Sequence, residues 1–96
     1  MYYKNIMEKI VEEEYDRLAD TLPGCKCEQC KYDTIAMALN LVAPKYITTL
    51  RGELFTKLEY VDYQCHSNVI VALTKAAEII AANPGHEDPI INDNNI

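Results

Sequence analysis

Val61-Asp62-Tyr63-Gln64-Cys65-His66-Ser67-Asn68-Val69-Ile70-Val71-Ala72-Leu73-Thr74-Lys75-Ala76-Ala77-Glu78-Ile79-Ile80-Ala81-Ala82 decides the fold class. Val61, Cys65, Val69, Leu73, Ala76, Ala77 and Ile80 recur at the three- and four-residue spacing of one helical face. Ile70, Val71 and Ile79 thicken that face. The pattern predicts a helix over 62–82, ended by Asn83-Pro84-Gly85. So much apolar surface on one helix predicts a central position or a dimer seam.

Upstream, the helical period returns. Asn5-Ile6-Met7-Glu8 reads as a helix start, with Asn5 as N-cap and Glu8 three residues on. Ile6, Ile10, Val11, Leu18 and Leu22 follow at helical spacing, widened by Met7 and Tyr15. Glu12, Glu13, Glu14, Asp16 and Asp20 make the wet face, and Pro23-Gly24 ends the helix. Residues 33–40 read as a short helix rich in small residues, suited to close approach by another helix, and stopped before Pro44. Lys45-Tyr46-Ile47-Thr48-Thr49-Leu50 is β-branched and aromatic, and Arg51-Gly52 reads as a turn. Glu53-Leu54-Phe55-Thr56-Lys57-Leu58 fits a second strand or one helical turn equally well. Residues 45–57 are thus a short β-hairpin or an extended connector. The expectation is a mainly α domain over 1–86, with 87–96 a disordered acidic tail.

Cys65 opens the long helix, and its three fellow cysteines crowd into Cys25-Lys26-Cys27-Glu28-Gln29-Cys30. Four soft thiolates are the donor set of a tetrahedral structural zinc, so the spacing predicts a four-cysteine zinc clamp of Cys25, Cys27, Cys30 and Cys65. It would join the loop after the first helix to the starts of the next two. A disulfide pairing of Cys25 with Cys27 would close a very tight ring. The chain opens without a basic, then apolar, export signal, which predicts a cytoplasmic location where thiols stay reduced. Cys27-x-x-Cys30 follows an acidic helix, not the strand that precedes a thioredoxin-like dithiol, and the spacing matches none of the common iron–sulfur runs. His66 and His86 are the alternative fourth ligands. A closed tetrathiolate leaves no position for water, so the metal belongs to architecture and not to hydrolysis.

The net charge is −6, which argues against binding double-stranded DNA through its phosphates. Residues 26–57 are the one net-positive third, with Lys26, Lys31, Lys45, Arg51 and Lys57 against Glu28, Asp33 and Glu53. Lys26 and Lys31 would offset a zinc tetrathiolate. Lys45, Arg51 and Lys57 are candidates to meet an anion, against the plainer reading of solvated surface charge. No apolar run is long enough to span a bilayer. The sequence offers no nucleophile–base pair and no phosphate-binding glycine loop, so no enzyme is expected.

Several of these elements coincide in order and spacing with one family. Asn5-Ile6-Met7-Glu8 with Val11, the cysteine cluster, Asp33-x-x-Ala36-x-x-Leu39-Asn40, Pro44-Lys45-Tyr46, Gly52, Gln64, and Ala76 through Pro84-x-His86 resemble the late competence development protein ComFB family. The resemblance covers residues 5–86. It implies a small helical, homodimeric, cytoplasmic protein without catalytic activity, related to receptors for cyclic dinucleotides. A two-fold dimer would match the pseudo-symmetry of such a ligand. Lys45 and Arg51 would meet phosphate, Tyr46 would stack, and Thr48, Thr49 and Gln64 would donate hydrogen bonds. The other class of function is a zinc-stabilised adaptor that docks on a protein partner of the competence machinery. Its acidic first helix and tail would suit a basic partner.

Overall fold

The computed structural model describes residues 2–60 and 63–85, with the backbone alone for 63–65. In chain order it has β1 (Lys4–Asn5), α1 (Met7–Leu18), a 3-10 turn (Ala19–Thr21), α2 (Glu28–Leu41), β2 (Tyr46–Ile47), α3 (Leu50–Tyr60) and α4 (Tyr63–Ala82). The fold is mainly α, as the apolar periodicity predicts.

α4 takes the central position. Val69, Ala72, Leu73, Ala76 and Ala77 are buried along it, and α2 lies against it as its main neighbour. The small side chains of Ala38, Ala72, Ala76 and Ala77 let helix backbones approach closely. α1 closes the core with Ile6, Met7, Ile10, Val11 and Tyr15. Its start is tied down by Asn5, whose Oδ1 accepts the Met7 N–H at 3.1 Å and the Lys45 N–H at 2.9 Å. Ile6 and not Asn5 holds the N-cap position, without a side-chain cap, and the Asn5 side chain one residue earlier ties the start of α1 to the connector before β2. Next to it β1 and β2 pair antiparallel, with Lys4 opposite Ile47 and Asn5 opposite Tyr46.

Three boundaries differ from the periodicity reading. The strand partner of 46–47 is 4–5 and not 53–58, so no hairpin forms within 45–57. Residues 50–60 are a full helix, started by Thr49: its Oγ1 accepts the Gly52 N–H at 3.0 Å, and its carbonyl accepts the Glu53 N–H at 3.1 Å. Gly52 sits inside this first turn. α2 begins at Glu28, five residues earlier than the short helix expected, because Cys27 serves as its N-cap. Glu14, read as part of the wet face of α1, is buried.

Candidate functional site

The cysteine loop is held against the far end of α4. Gly24 has φ +94°, and a Cβ placed on it would stand 2.9 Å from the Ala81 Cβ. Only glycine satisfies both the left-handed backbone and that approach. The loop then enters α2, where the Cys27 Sγ accepts the Cys30 N–H at 3.4 Å and the Cys25 Sγ accepts the Cys27 N–H at 3.4 Å. The Lys26 ammonium folds back on the Leu22 and Pro23 carbonyls.

The thiol sulfurs of Cys25, Cys27 and Cys30 all lie within 4.8 Å of one another. Zinc–sulfur bonds of about 2.3 Å in a tetrahedron need sulfurs about 3.8 Å apart, so a small contraction of the loop would seat an ion. The Cys30 thiol is pushed up to about 11 by burial and by the neighbouring thiols of Cys27 and Cys25. Crowded thiolates repel one another, and a cation among them removes that cost. The donor set therefore fits a soft-ligand divalent metal.

Cys65 stands apart in the backbone. It belongs to the first turn of α4, its side chain outside the described residues. Ala81, which touches the cysteine loop, is sixteen residues further along the same helix, about 24 Å at 1.5 Å per residue. His66, beside Cys65, faces a different set of partners. Its Nε2 lies 3.2 Å from Glu14 Oε1 and 3.2 Å from Arg17 Nη2. Arg17 also donates to Glu14 Oε1, and the Tyr60 hydroxyl donates to Glu14 Oε2 at 2.9 Å. This network joins α1, α3 and α4 at the end opposite the cysteines. Burial pushes the Glu14 carboxyl up, but hydrogen bonds from Arg17, Tyr60 and His66 outweigh it, and the net direction is down.

Of the residues expected to meet an anionic ligand, Lys45 lines one hollow, Thr48 and Thr49 another, and Tyr46, Arg51 and Lys57 line neither. A groove of about 400 Å³ opens between the C-terminal ends of α2 and α3 and the middle of α4, floored by Met7, Ile10, Val69 and Ala72. Tyr60, Lys45, Glu59 and Lys75 also line it. Lys45 stands 3.7 Å from Glu59. Thr48 and Thr49 line a second hollow of about 310 Å³ with Tyr2, Lys4 and Glu53. Tyr46 stacks edge-on with Tyr3, ring centroids 5.9 Å apart, and Arg51 lies over the Phe55 ring at 5.7 Å. Lys57 is 3.5 Å from Glu53, which also draws Lys9 at 3.3 Å and Lys4 at 3.8 Å. Gln64 has its backbone in the first turn of α4 and its side chain outside the described residues. One chain does not gather these residues into one pocket. Val69, Ala72 and Tyr60 escape the sequence reading as groove residues, because an apolar position carries no signal that separates groove from core.

A mainly helical domain with a thiol cluster at one end of its central helix, and among the described residues no helix fit to cross a membrane, defines the class. The family described as late competence development protein ComFB matches residues 4–84, and the chain belongs to that family. It is 35% identical over 81 residues to the competence protein ComFB of Bacillus subtilis (strain 168), covering 83% of each chain. A solved structure of the late competence protein ComFB from Bacillus subtilis superposes with a TM-score of 0.82 at 31% identity. That match covers 94% of this chain and 100% of the other.

Proposed function

We propose that this chain is a non-catalytic, zinc-stabilised, homodimeric regulator of late competence that acts in the cytoplasm as a receptor for a cyclic dinucleotide. The observation that carries the ligand reading is the groove between α2, α3 and α4. Its volume of about 400 Å³ lies within the usual span of small-molecule sites, roughly 300–1,000 Å³. Its floor is apolar, while Lys45 and Lys75 supply positive charge and Tyr60 an aromatic face. Bases need the apolar and aromatic surface, and phosphates need the lysines. Zinc would be held by thiolates of the cysteine loop and would stabilise the fold without entering any reaction.

The dimer reading draws on α3. Leu50, Leu54 and Leu58 recur every fourth residue, with Phe55 beside them, and all four are exposed. α3 has no buried residue within a single chain. A second copy covering that stripe would give the helix its missing packing.

Calorimetry with cyclic di-AMP and cyclic di-GMP tests the ligand reading. Binding in the micromolar range or tighter is expected. No heat from either nucleotide, at protein concentrations well above that range, rejects the receptor. A partner protein recovered equally with and without nucleotide would then favour the adaptor.

A further inference from the structure

Glu53, in the first turn of α3, draws three lysines onto one carboxylate. Its Oε1 lies 3.3 Å from the Lys9 ammonium and 3.5 Å from that of Lys57, and its Oε2 lies 3.8 Å from Lys4. We propose that Lys4, Lys9 and Lys57 form a phosphate-binding site, apart from the groove and at the edge of the hollow lined by Thr48 and Thr49. The ligand class is a small molecule that carries a phosphate group.

Charge balance carries the argument. Lys31 with Asp16 and Lys45 with Glu59 are one-to-one pairs, whereas at Glu53 the ratio is three to one. Lys57, four residues along the same helix, is already a suitable partner for Glu53. Lys4 and Lys9 come to it from β1 and α1. An exposed ion pair adds little stability, so the second and third lysines do little for the fold. Like charges gathered this closely repel, and one carboxylate offsets only one of the three. Glu13 also attracts Lys9, which reduces the excess without removing it. Positive charge thus accumulates at one point of a chain whose net charge is −6.

The geometry suits an oxyanion. Lys9 and Lys57 share one carboxylate oxygen, so their nitrogens lie within about 7 Å of each other. A phosphate has several oxygens, and charge-assisted bonds of about 2.7–2.9 Å to two of them bridge that gap. The lysine side chains are 40–49% exposed and that of Glu53 is 15% exposed, so the cations face solvent. Lys4 and Glu53 also border the hollow of about 310 Å³. There the Thr49 Oγ1 accepts the Gly52 N–H, which leaves its O–H to donate, and Thr48 offers a second hydroxyl. Tyr2 and Leu50 give the organic part of a phosphate ester an apolar wall. The hollow and the groove share no lining residue, so the two sites are independent.

The test titrates the full chain with inorganic phosphate, ionic strength being held constant with sodium chloride, and follows backbone amides by NMR. Saturable shifts over residues 48–53 are expected, with a dissociation constant of about a millimolar or tighter. The double variant Lys9→Gln/Lys57→Gln should weaken binding by roughly tenfold or more, the loss expected when bonds between charged groups are removed. Lys4→Gln, which keeps both pairs at Oε1, should weaken it in the same direction and by less. Lys45→Ala, in the groove, should leave it unchanged. Thermal melting of each variant shows that the fold persists. Shifts that never saturate, or that saturate equally in the lysine variants, would overturn the proposal and leave the three lysines as struts between β1, α1 and α3. Phosphate binding lost in Lys45→Ala and kept in the double variant would overturn it too, by moving the anion to the groove. Failure of cyclic dinucleotides to bind, with phosphate still saturating the lysine site, would reject the groove reading alone.

Discussion

The two ends of α4 hold polar groups in opposite ways. At the first end, Glu14 is buried with every need met inside the chain, by Arg17, Tyr60 and His66. At the last end, Cys25, Cys27 and Cys30 crowd their sulfurs within 4.8 Å, a group that becomes favourable once a cation joins it. One junction is complete as folded, and the other presents a donor set that a cation would complete. A small domain has little core to spare, and this one secures each end of its main helix by different chemistry. The contrast also predicts that the ends fail separately, one to chelator and the other to acid.

The largest effect is expected at the cysteine end. Cys27→Ser, or chelation of wild-type protein, should lower the melting temperature sharply. The loss should fall short of the ~10–16 kcal/mol that zinc contributes when it organises an entire peptide, because the core persists. Serine is a good N-cap, so this variant keeps the cap of α2 and removes only the thiolate. Hydrogen exchange should quicken in the first turn of α2 and the last turn of α4, and leave the Glu14 end protected. Unchanged melting with zinc retained would break the contrast at its root.

The Glu14 end should yield less. Glu14→Gln keeps the shape and removes the charge, at an expected cost of about 1–3 kcal/mol by chemical denaturation. The pH dependence is sharper evidence. The folded carboxyl titrates below its ordinary value of 4.5, so in acid the unfolded chain binds the proton more readily. The stabilisation is fully present above pH 4.5 and fades as pH falls through the folded value. Wild-type stability should therefore drop below that point, and Glu14→Gln should flatten the drop. An equally steep acid loss in the variant would assign it to other carboxylates. Tyr60→Phe removes one hydrogen bond to the same carboxylate and should cost about 1.5 kcal/mol, with part of the acid sensitivity kept.

The two ends are not equally legible in the sequence. Close cysteine spacing marks a candidate metal site without any tertiary information, and it names the three sulfurs that come together. Spacing alone does not place Cys65. A contact across sixteen residues of one helix depends on which end the loop docks against, and Gly24 against Ala81 decides that. Glu14 is hidden by its charge. It stands three or four residues from Ile10, Val11 and Leu18, so helical spacing puts it on the packed stripe, but a carboxylate in a run of three reads as part of the wet face. α3 is legible in part: Thr49 is a good N-cap, and Leu50, Leu54 and Leu58 keep helical spacing. Gly52 and the β-branched run before it argue locally for a turn. Tertiary context overrides that propensity.

Between the two ends lies the basic middle, and the smallest stability effects are expected there. Lys45→Ala and Arg51→Ala alter exposed side chains, so each should change stability by no more than about 0.5 kcal/mol. Their effects on ligand should differ. Lys45 lines the groove of about 400 Å³, whereas Arg51 lies over Phe55 on the outer surface of α3. If the groove takes the nucleotide, Lys45→Ala should weaken binding by on the order of tenfold, about 1.4 kcal/mol. Arg51→Ala should weaken it less, through long-range charge alone, and added salt should erase that smaller effect first. The opposite ranking in a titration would move the site from the groove to the exposed face of α3. The ligand would then bind where the dimer seam is expected, and assembly would become ligand-dependent.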